Sequence, residues 1–236
     1  MSAKNKNSNA RTRVLLAIFF ASFLLLSPFI LQIISLFNYI DFNVYENEYY
    51  WDFRNGFPPD YSGWGTLELV SEGIQISDTA ASYCGLIFTP FRHNPEWQME
   101  TLVEITKSDY HAGEINGAVA ILTRDSSKVN CESTLGLYPN TTVARCRHKI
   151  NGIDELGYQD SSDGGITFSL PFKFELNTWY KLRFFFHKGN LECYINDTKY
   201  FEQAGLSVSS TVYTQPHLGI YNGTAVFQYI KIWNFK

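Results

Sequence analysis

The groups of this chain that could do chemistry are 23 carboxylates, five histidines and four cysteines, set among five tryptophans and a scatter of arginines. Cleaving a glycosidic bond takes two carboxyl groups roughly 5–9.5 Å apart. Glu100 and Glu104 share a face of one apparent strand, but at i, i+4 the strand rise holds them about 13 Å apart, a spacing that fits a solvated face. A serine nucleophile on a sharp strand-to-helix turn would be marked by Gly-x-Ser-x-Gly, which does not occur. The histidines, at 93, 111, 148, 187 and 217, lack the short spacing of a zinc site. Asp160-Ser-Ser-Asp163-Gly-Gly offers a hard cation two carboxylates and glycine-freed carbonyls, so Asp160 and Asp163 are candidate calcium ligands. The plainer alternative is a polar turn, which Asp and Gly build without any ion. No other cofactor is expected, and the chain reads as a binding protein, not an enzyme.

Binding chemistry has better candidates. Sugar sites combine an aromatic face with a few fixed polar groups. Trp64, in Tyr61-Ser-Gly-Trp-Gly65, has glycine neighbours that suit an exposed loop. Arg124, Tyr138, Arg145 and Arg147 fall on segments that should be adjacent strands, with Arg145 and Arg147 on one face and Cys146 on the other. A solvated outer sheet would carry the same residues.

The elements that must position these side chains have a period of two. Trp97, Met99, Thr101, Val103 and Ile105 alternate with Gln98, Glu100, Leu102, Glu104 and Thr106, the pattern of a half-buried strand. Within 179–187, Tyr180, Leu182, Phe184 and Phe186 alternate with Lys181, Arg183 and His187, and Lys188-Gly189-Asn190 then turns the chain into Leu191, Cys193 and Ile195. Over 225–233, Val226, Gln228, Ile230 and Ile232 are expected opposite Phe227, Tyr229, Lys231 and Trp233. Further short runs at 117–124, 133–138, 142–150 and 165–170 are bounded by Gly, Asn, Asp or Pro. Many short strands at close spacing predict an all-β sandwich of one domain over residues 50–236.

Ahead of that domain, residues 14–37 are uncharged and apolar, long enough as a helix to cross a ~30 Å hydrocarbon core. A cleaved signal peptide has a shorter apolar region, typically about 7–15 residues, and a small-x-small site, so an uncleaved anchor is the expectation. Residues 1–13 hold Lys4, Lys6, Arg11 and Arg13 without an acid, and form a cytoplasmic tail by the positive-inside rule. Residues 38–49 are a juxtamembrane segment, which places the C-terminal domain outside the cell membrane. Of the 19 basic groups, 15 lie beyond residue 40 against all 23 acids, a net of −8 that argues against a nucleic-acid partner.

Cys84, Cys131, Cys146 and Cys193 all lie beyond the apolar segment, and an even number in an oxidising compartment predicts two disulfides. Three connectivities are open. Cys131 and Cys146 flank a hairpin turning at Pro139-Asn140, which favours 131–146 and leaves 84–193. Asn140, Asn196 and Asn222 begin glycosylation sequons that fall on expected turns.

Asn177 to Asp197 resembles the W-x-x-L … G-x-L-x-x-Y-I-N-D hairpin of concanavalin A-like lectin and glucanase domains, above all their laminin-G-like members. Residues 65–76, 117–124, 216–221 and 225–233 resemble other strands of that pattern, so the likeness spans about residues 50–236. It implies a jelly roll of two antiparallel sheets and a lectin-like, carbohydrate-binding role, with adhesion to another envelope protein as the alternative. Calcium binding is common in such domains. The Glu-x-Asp-x-x-Glu motif of glucanases is absent, and of the lyase motifs the nearest traces are Gln215-Pro-His217 and Tyr221, read here as loop residues before a strand.

Overall fold

A computed structural model describes residues 45–59, 61–77, 83–88, 97–108, 119–124, 131–150, 153–156, 165–208 and 215–235. The expected anchor at 14–37 and the candidate calcium ligands Asp160 and Asp163 lie outside the described residues. Among those described, no helix is long and apolar enough to cross a membrane, and no cluster of three His, Cys, Asp or Glu side chains could hold a metal ion.

The strands in chain order are β1 (Tyr45–Asp52), β2 (Tyr61–Trp64), β3 (Thr66–Val70), β4 (Gly73–Ser77), β5 (Tyr83–Phe88), β6 (Trp97–Ser108), β7 (Val119–Arg124) and β8 (Cys131–Leu137). They continue as β9 (Val143–Ile150), β10 (Ile153–Asp154), β11 (Ile166–Ser169), β12 (Trp179–His187), β13 (Asn190–Ile195), β14 (Thr198–Gln203), β15 (Gln215–Tyr221) and β16 (Gly223–Phe235). They make two antiparallel sheets. The first runs β14-β13-β12-β6-β16-β4-β3, with β1 also paired to β16; the second runs β10-β9-β8-β7-β15-β5-β2, with β11 on β9. The all-β sandwich expected from the alternation is therefore what forms. Its start differs by five residues, because Tyr45–Asp52 pairs with β16 and belongs to the sheet instead of a juxtamembrane segment.

The core lies between the sheets. Met99, Val103, Leu182, Phe184, Phe186, Ile230 and Ile232 from the first sheet meet Leu86, Leu135, Ala144, Leu218 and Ile220 from the second, nearly all without exposed surface. Trp97 is buried with its ring edge-on to Phe184, centroids 5.0 Å apart. The period-two reading of 225–233 fails at one point. The register of β16 against β6 skips from Phe227 to Tyr229, so Gln228 is the extra residue of a bulge and Phe227 joins Ile230 and Ile232 in the core. The same bulge explains Gly73. Its φ is +153°, and a Cβ there would lie 2.1 Å from the Phe227 carbonyl oxygen, so only glycine allows β4 to approach β16 this closely.

Four asparagines have positive φ, Asn177 (57°) and, at the sequons, Asn140 (62°), Asn196 (49°) and Asn222 (56°). Asparagine is, after glycine, the side chain that best tolerates this left-handed conformation.

Candidate carbohydrate-binding face

The outer face of the second sheet is built by register alone. Residues Trp64, Gly85, Gly219, Ala120, Gly136, Arg145 and Thr167 stand in one row across β2, β5, β15, β7, β8, β9 and β11. Four successive strands thus contribute Gly or Ala, and side chains of size appear only at the ends. With strands about 4.8 Å apart, five steps separate Trp64 from Arg145 by roughly 24 Å. Gly85, Gly136 and Gly219 of this row are themselves buried. The neighbouring row is Ser62, Ile87, His217, Leu122, Thr134 and Arg147, and beyond it Gln215, Arg124, Glu132 and Lys149 line up.

Arg124, Tyr138, Arg145 and Arg147 do come from or directly follow adjacent strands, as their spacing suggested. Their circumstances differ. Arg147 is held, its Nε 3.2 Å from the Asp154 carboxylate. Arg145 is not: its Nη2 is buried and has no hydrogen-bond partner among the described residues. Tyr138 is 8% exposed and its carbonyl closes the hairpin turn by accepting from the Thr141 amide and hydroxyl, which makes it part of the scaffold. Arg124 stands opposite Gln215 and Glu132.

Trp64 ends a strand, not a loop, and is half-buried, its ring edge-on to His217 with centroids 6.0 Å apart. His217 is 2% exposed. It belongs to β15, a central strand between β7 and β5, so Gln215-Pro-His217 and Tyr221 are strand residues and not the loop residues expected, in keeping with the strand that 216–221 resembles. Pro216 and Gly219 look like turn residues, yet Pro216 is laddered only to β7, since pairing with β5 begins at His217. A proline costs little where one edge is unpaired. The alternation of His217, Gly219 and Tyr221 with buried Leu218 and Ile220 was the signal that could have found this strand.

Glu100 and Glu104 lie on β6 of the other sheet. Glu100 is 8% exposed and accepts a 2.8 Å hydrogen bond from the Tyr229 hydroxyl, so it is a packed group and not the solvated one expected. Burial, with Glu100 beside it, pushes the Tyr229 hydroxyl well above its ordinary pKa.

No family model matches the chain, and no curated protein does. Solved structures match it well. A carbohydrate binding module from Bacillus subtilis, CBM66, superposes with a TM-score of 0.52 at 16% identity, over 71% of this chain and 91% of that one. A Bacillus licheniformis beta-glucanase gives 0.59 at 12% identity, over 80% and 99%. The exoplasmic/lumenal domain of VIP36 in its Ca2+/Man3GlcNAc-bound form gives 0.54 at 14% identity, over 77% and 86%. These structures share with this chain the architecture of an all-β sandwich of antiparallel sheets, consistent with a jelly roll. At these identities the likeness fixes architecture alone, because this fold carries lectins and glycan-cleaving enzymes alike.

Proposed function

We propose that the concanavalin A-like domain is a carbohydrate-binding module, held at the outer face of a membrane by residues 14–37. Its ligand lies along the side-chain-free row between Trp64 and Arg145. The observation that carries this reading is the row itself: a floor of Gly85, Gly219, Ala120 and Gly136 with an aromatic ring at one end and, at the other, a guanidinium whose Nη2 has no hydrogen-bond partner among the described residues. A floor about 24 Å long suits several sugar rings in sequence better than a single one. The glycan-binding and glycan-acting neighbours of the same fold support the ligand class. The test is a glycan array probed with the full-length protein in detergent micelles, with Trp64→Ala alongside and with calcium chelated in a parallel run. Saturable binding to a defined glycan, lost in Trp64→Ala, is the expected result. Silence across the array sinks the reading, and loss of binding on chelation alone would bring calcium into it.

A second reading, cleavage of an acidic polysaccharide by β-elimination, is favoured by one observation. Gln215 and His217 share the outer face of a central strand, with Arg124 across from Gln215. A guanidinium and a carboxamide can neutralise a uronate carboxylate, and an imidazole can take the proton from the adjacent carbon as the C–O bond breaks and the departing sugar oxygen takes a proton from water. Incubation with uronic-acid polymers would then generate the ultraviolet absorbance of a new C=C bond. Binding without that absorbance leaves the first reading standing.

A further inference from the structure

Two sulfur atoms from opposite sheets meet in the middle of the core. Cys146 of β9 and Cys193 of β13 are each 0% exposed, and their Sγ atoms are 3.2 Å apart. Cys146 stands in register between Leu135 and Ile166, and Cys193 between Phe184 and Phe201, so their neighbours are apolar. The hairpin argument for joining Cys131 to Cys146 does not survive the register. Cys131 is opposite Ile150, while Cys146 is opposite Leu135, four residues along β8. That offset is about 13 Å by strand rise, against the roughly 4.4–6.8 Å between Cα atoms that a disulfide spans.

We propose that Cys146 and Cys193 form a disulfide that staples one sheet to the other. Both side chains already point across the gap between the sheets, and a small rotamer adjustment closes the distance to a bond. Immunoglobulin domains bridge their two sheets in the same general manner. The chemistry is thiol–disulfide exchange with a disulfide donor, either a small-molecule disulfide or the oxidised, disulfide form of an oxidoreductase in an oxidising compartment. One cysteine thiolate attacks the donor and releases its first thiol. The second cysteine thiolate then attacks that mixed disulfide, forms the Sγ–Sγ bond and releases the second thiol. Two electrons pass to the donor, and the two cysteine protons end on its departing sulfurs.

The position also sets when this happens. In the closed sandwich neither sulfur can meet a donor, and burial pushes the Cys193 thiol well above its ordinary pKa, which suppresses the attacking thiolate. The bond therefore forms while the sheets are still apart during folding. Once sealed, it is inaccessible to reductants for the same reason.

The experiment starts from the full-length chain, unfolded and reduced, then refolded in a mixture of reduced and oxidised glutathione. Remaining thiols are alkylated in denaturant and the chain is digested without reductant. A peptide containing Cys146 joined to one containing Cys193 is the expected product. Alkyl groups on both, or a link from either to Cys84 or Cys131, overturns the proposal. A second measurement covers the folded state: the oxidised parent should melt roughly 10 °C above a Cys146→Ala/Cys193→Ala variant, the effect of closing a loop of this length. Equal melting temperatures would also overturn it.

Discussion

On the outer face of the first sheet most polar groups are matched to one another, with the buried Asn190 Oδ1 left over among the described residues, whereas the second sheet carries a row of small residues. On the first, the Arg183 guanidinium sits 4.1 Å over the Tyr194 ring, and the Tyr194 hydroxyl donates to Glu192. Lys199 reaches both Glu192 at 3.5 Å and Glu202 at 2.6 Å. Lys231 lies among three rings, 5.4 Å from Tyr50, 5.8 Å from Trp233 and 6.0 Å from Tyr229. Cross-strand pairs of this kind are the ordinary way a solvent-facing sheet is finished. The second sheet instead has a row whose four middle positions are Gly or Ala, and at its end a buried guanidinium nitrogen without a hydrogen-bond partner among the described residues. Buried polar groups are almost always satisfied, so on the proposed reading the Arg145 nitrogen beside this row is where a bound glycan would complete the surface. On the proposed reading, the difference separates a face made for water from a face made for a ligand.

The largest effect expected from that difference is on Arg145. A hydrogen bond to a charged group contributes about 1.5–3 kcal/mol, so Arg145→Ala should weaken glycan binding roughly 10- to 100-fold by titration calorimetry. Arg145→Lys should recover only part, since an ammonium lacks the planar fork. Stability should hold, because no partner in the described structure is lost. Unchanged affinity in Arg145→Ala would remove the reason for preferring the second sheet.

On the first sheet, the effect should fall on stability alone. Tyr229→Phe leaves the Glu100 carboxylate without its 2.8 Å donor at a site 8% exposed. Stranding a buried acceptor costs about 1–3 kcal/mol, which lowers the melting temperature by several degrees. Glycan affinity should equal that of the parent, and a matching loss of binding would mean that the two faces are not distinct.

How much of this could be read from the sequence depends on whether it needs register. Strands such as 97–108 and 179–187 were legible because an antiparallel strand with one wet face writes its burial as alternation. The arginines of 124, 145 and 147 could be assigned to adjacent strands on the same basis. What was not legible is which residue faces which. The row from Trp64 to Arg145 collects single glycines from distant segments, and a lone glycine in a strand looks like a turn or a bulge until its neighbours are known. The cysteines failed for the same reason, since a hairpin whose turn is correctly placed still leaves the partner of Cys146 to the opposite sheet. Gln228 breaks its strand's alternation because a bulge is a property of the pair and not of one strand.

The interior sharpens the comparison through pH. His148 is fully buried, with Nδ1 2.8 Å from the Ser133 hydroxyl and Nε2 3.2 Å from the Ser207 carbonyl. A carbonyl can only accept, so Nε2 carries the proton and Nδ1 accepts from Ser133. Burial pushes the imidazole pKa down, opposed by the Ser207 carbonyl and by the Glu155 and Asp154 carboxylates. With the folded value below the unfolded one of about 6.5, the unfolded chain takes up the proton first. Stability should thus be at its full value above about pH 6.5 and decline as pH falls toward the folded value. Urea midpoints across pH 7.5 to 5 would show the slope, and His148→Gln should flatten it. A parent that already lacks the slope would remove His148 as its source.

The smallest effect belongs to Arg183, and it is the control that the comparison most needs. Arg145 and Arg183 are both strand arginines on outer faces, equal in charge and size. They differ in what surrounds them: Arg183 has the Tyr194 ring beneath it and Glu100 opposite it, while Arg145 has a row of glycines alongside. An exposed cation–π contact is worth about 0.5–1 kcal/mol, so Arg183→Ala should lower the melting temperature by only a few degrees. It should leave glycan affinity untouched, because its contacts are already made within the sheet. The pair of variants then reports on surroundings alone, charge loss being common to both. If Arg183→Ala weakened binding as much as Arg145→Ala, the ligand would be responding to overall positive charge, and the distinction between a finished face and an open one would have to be abandoned.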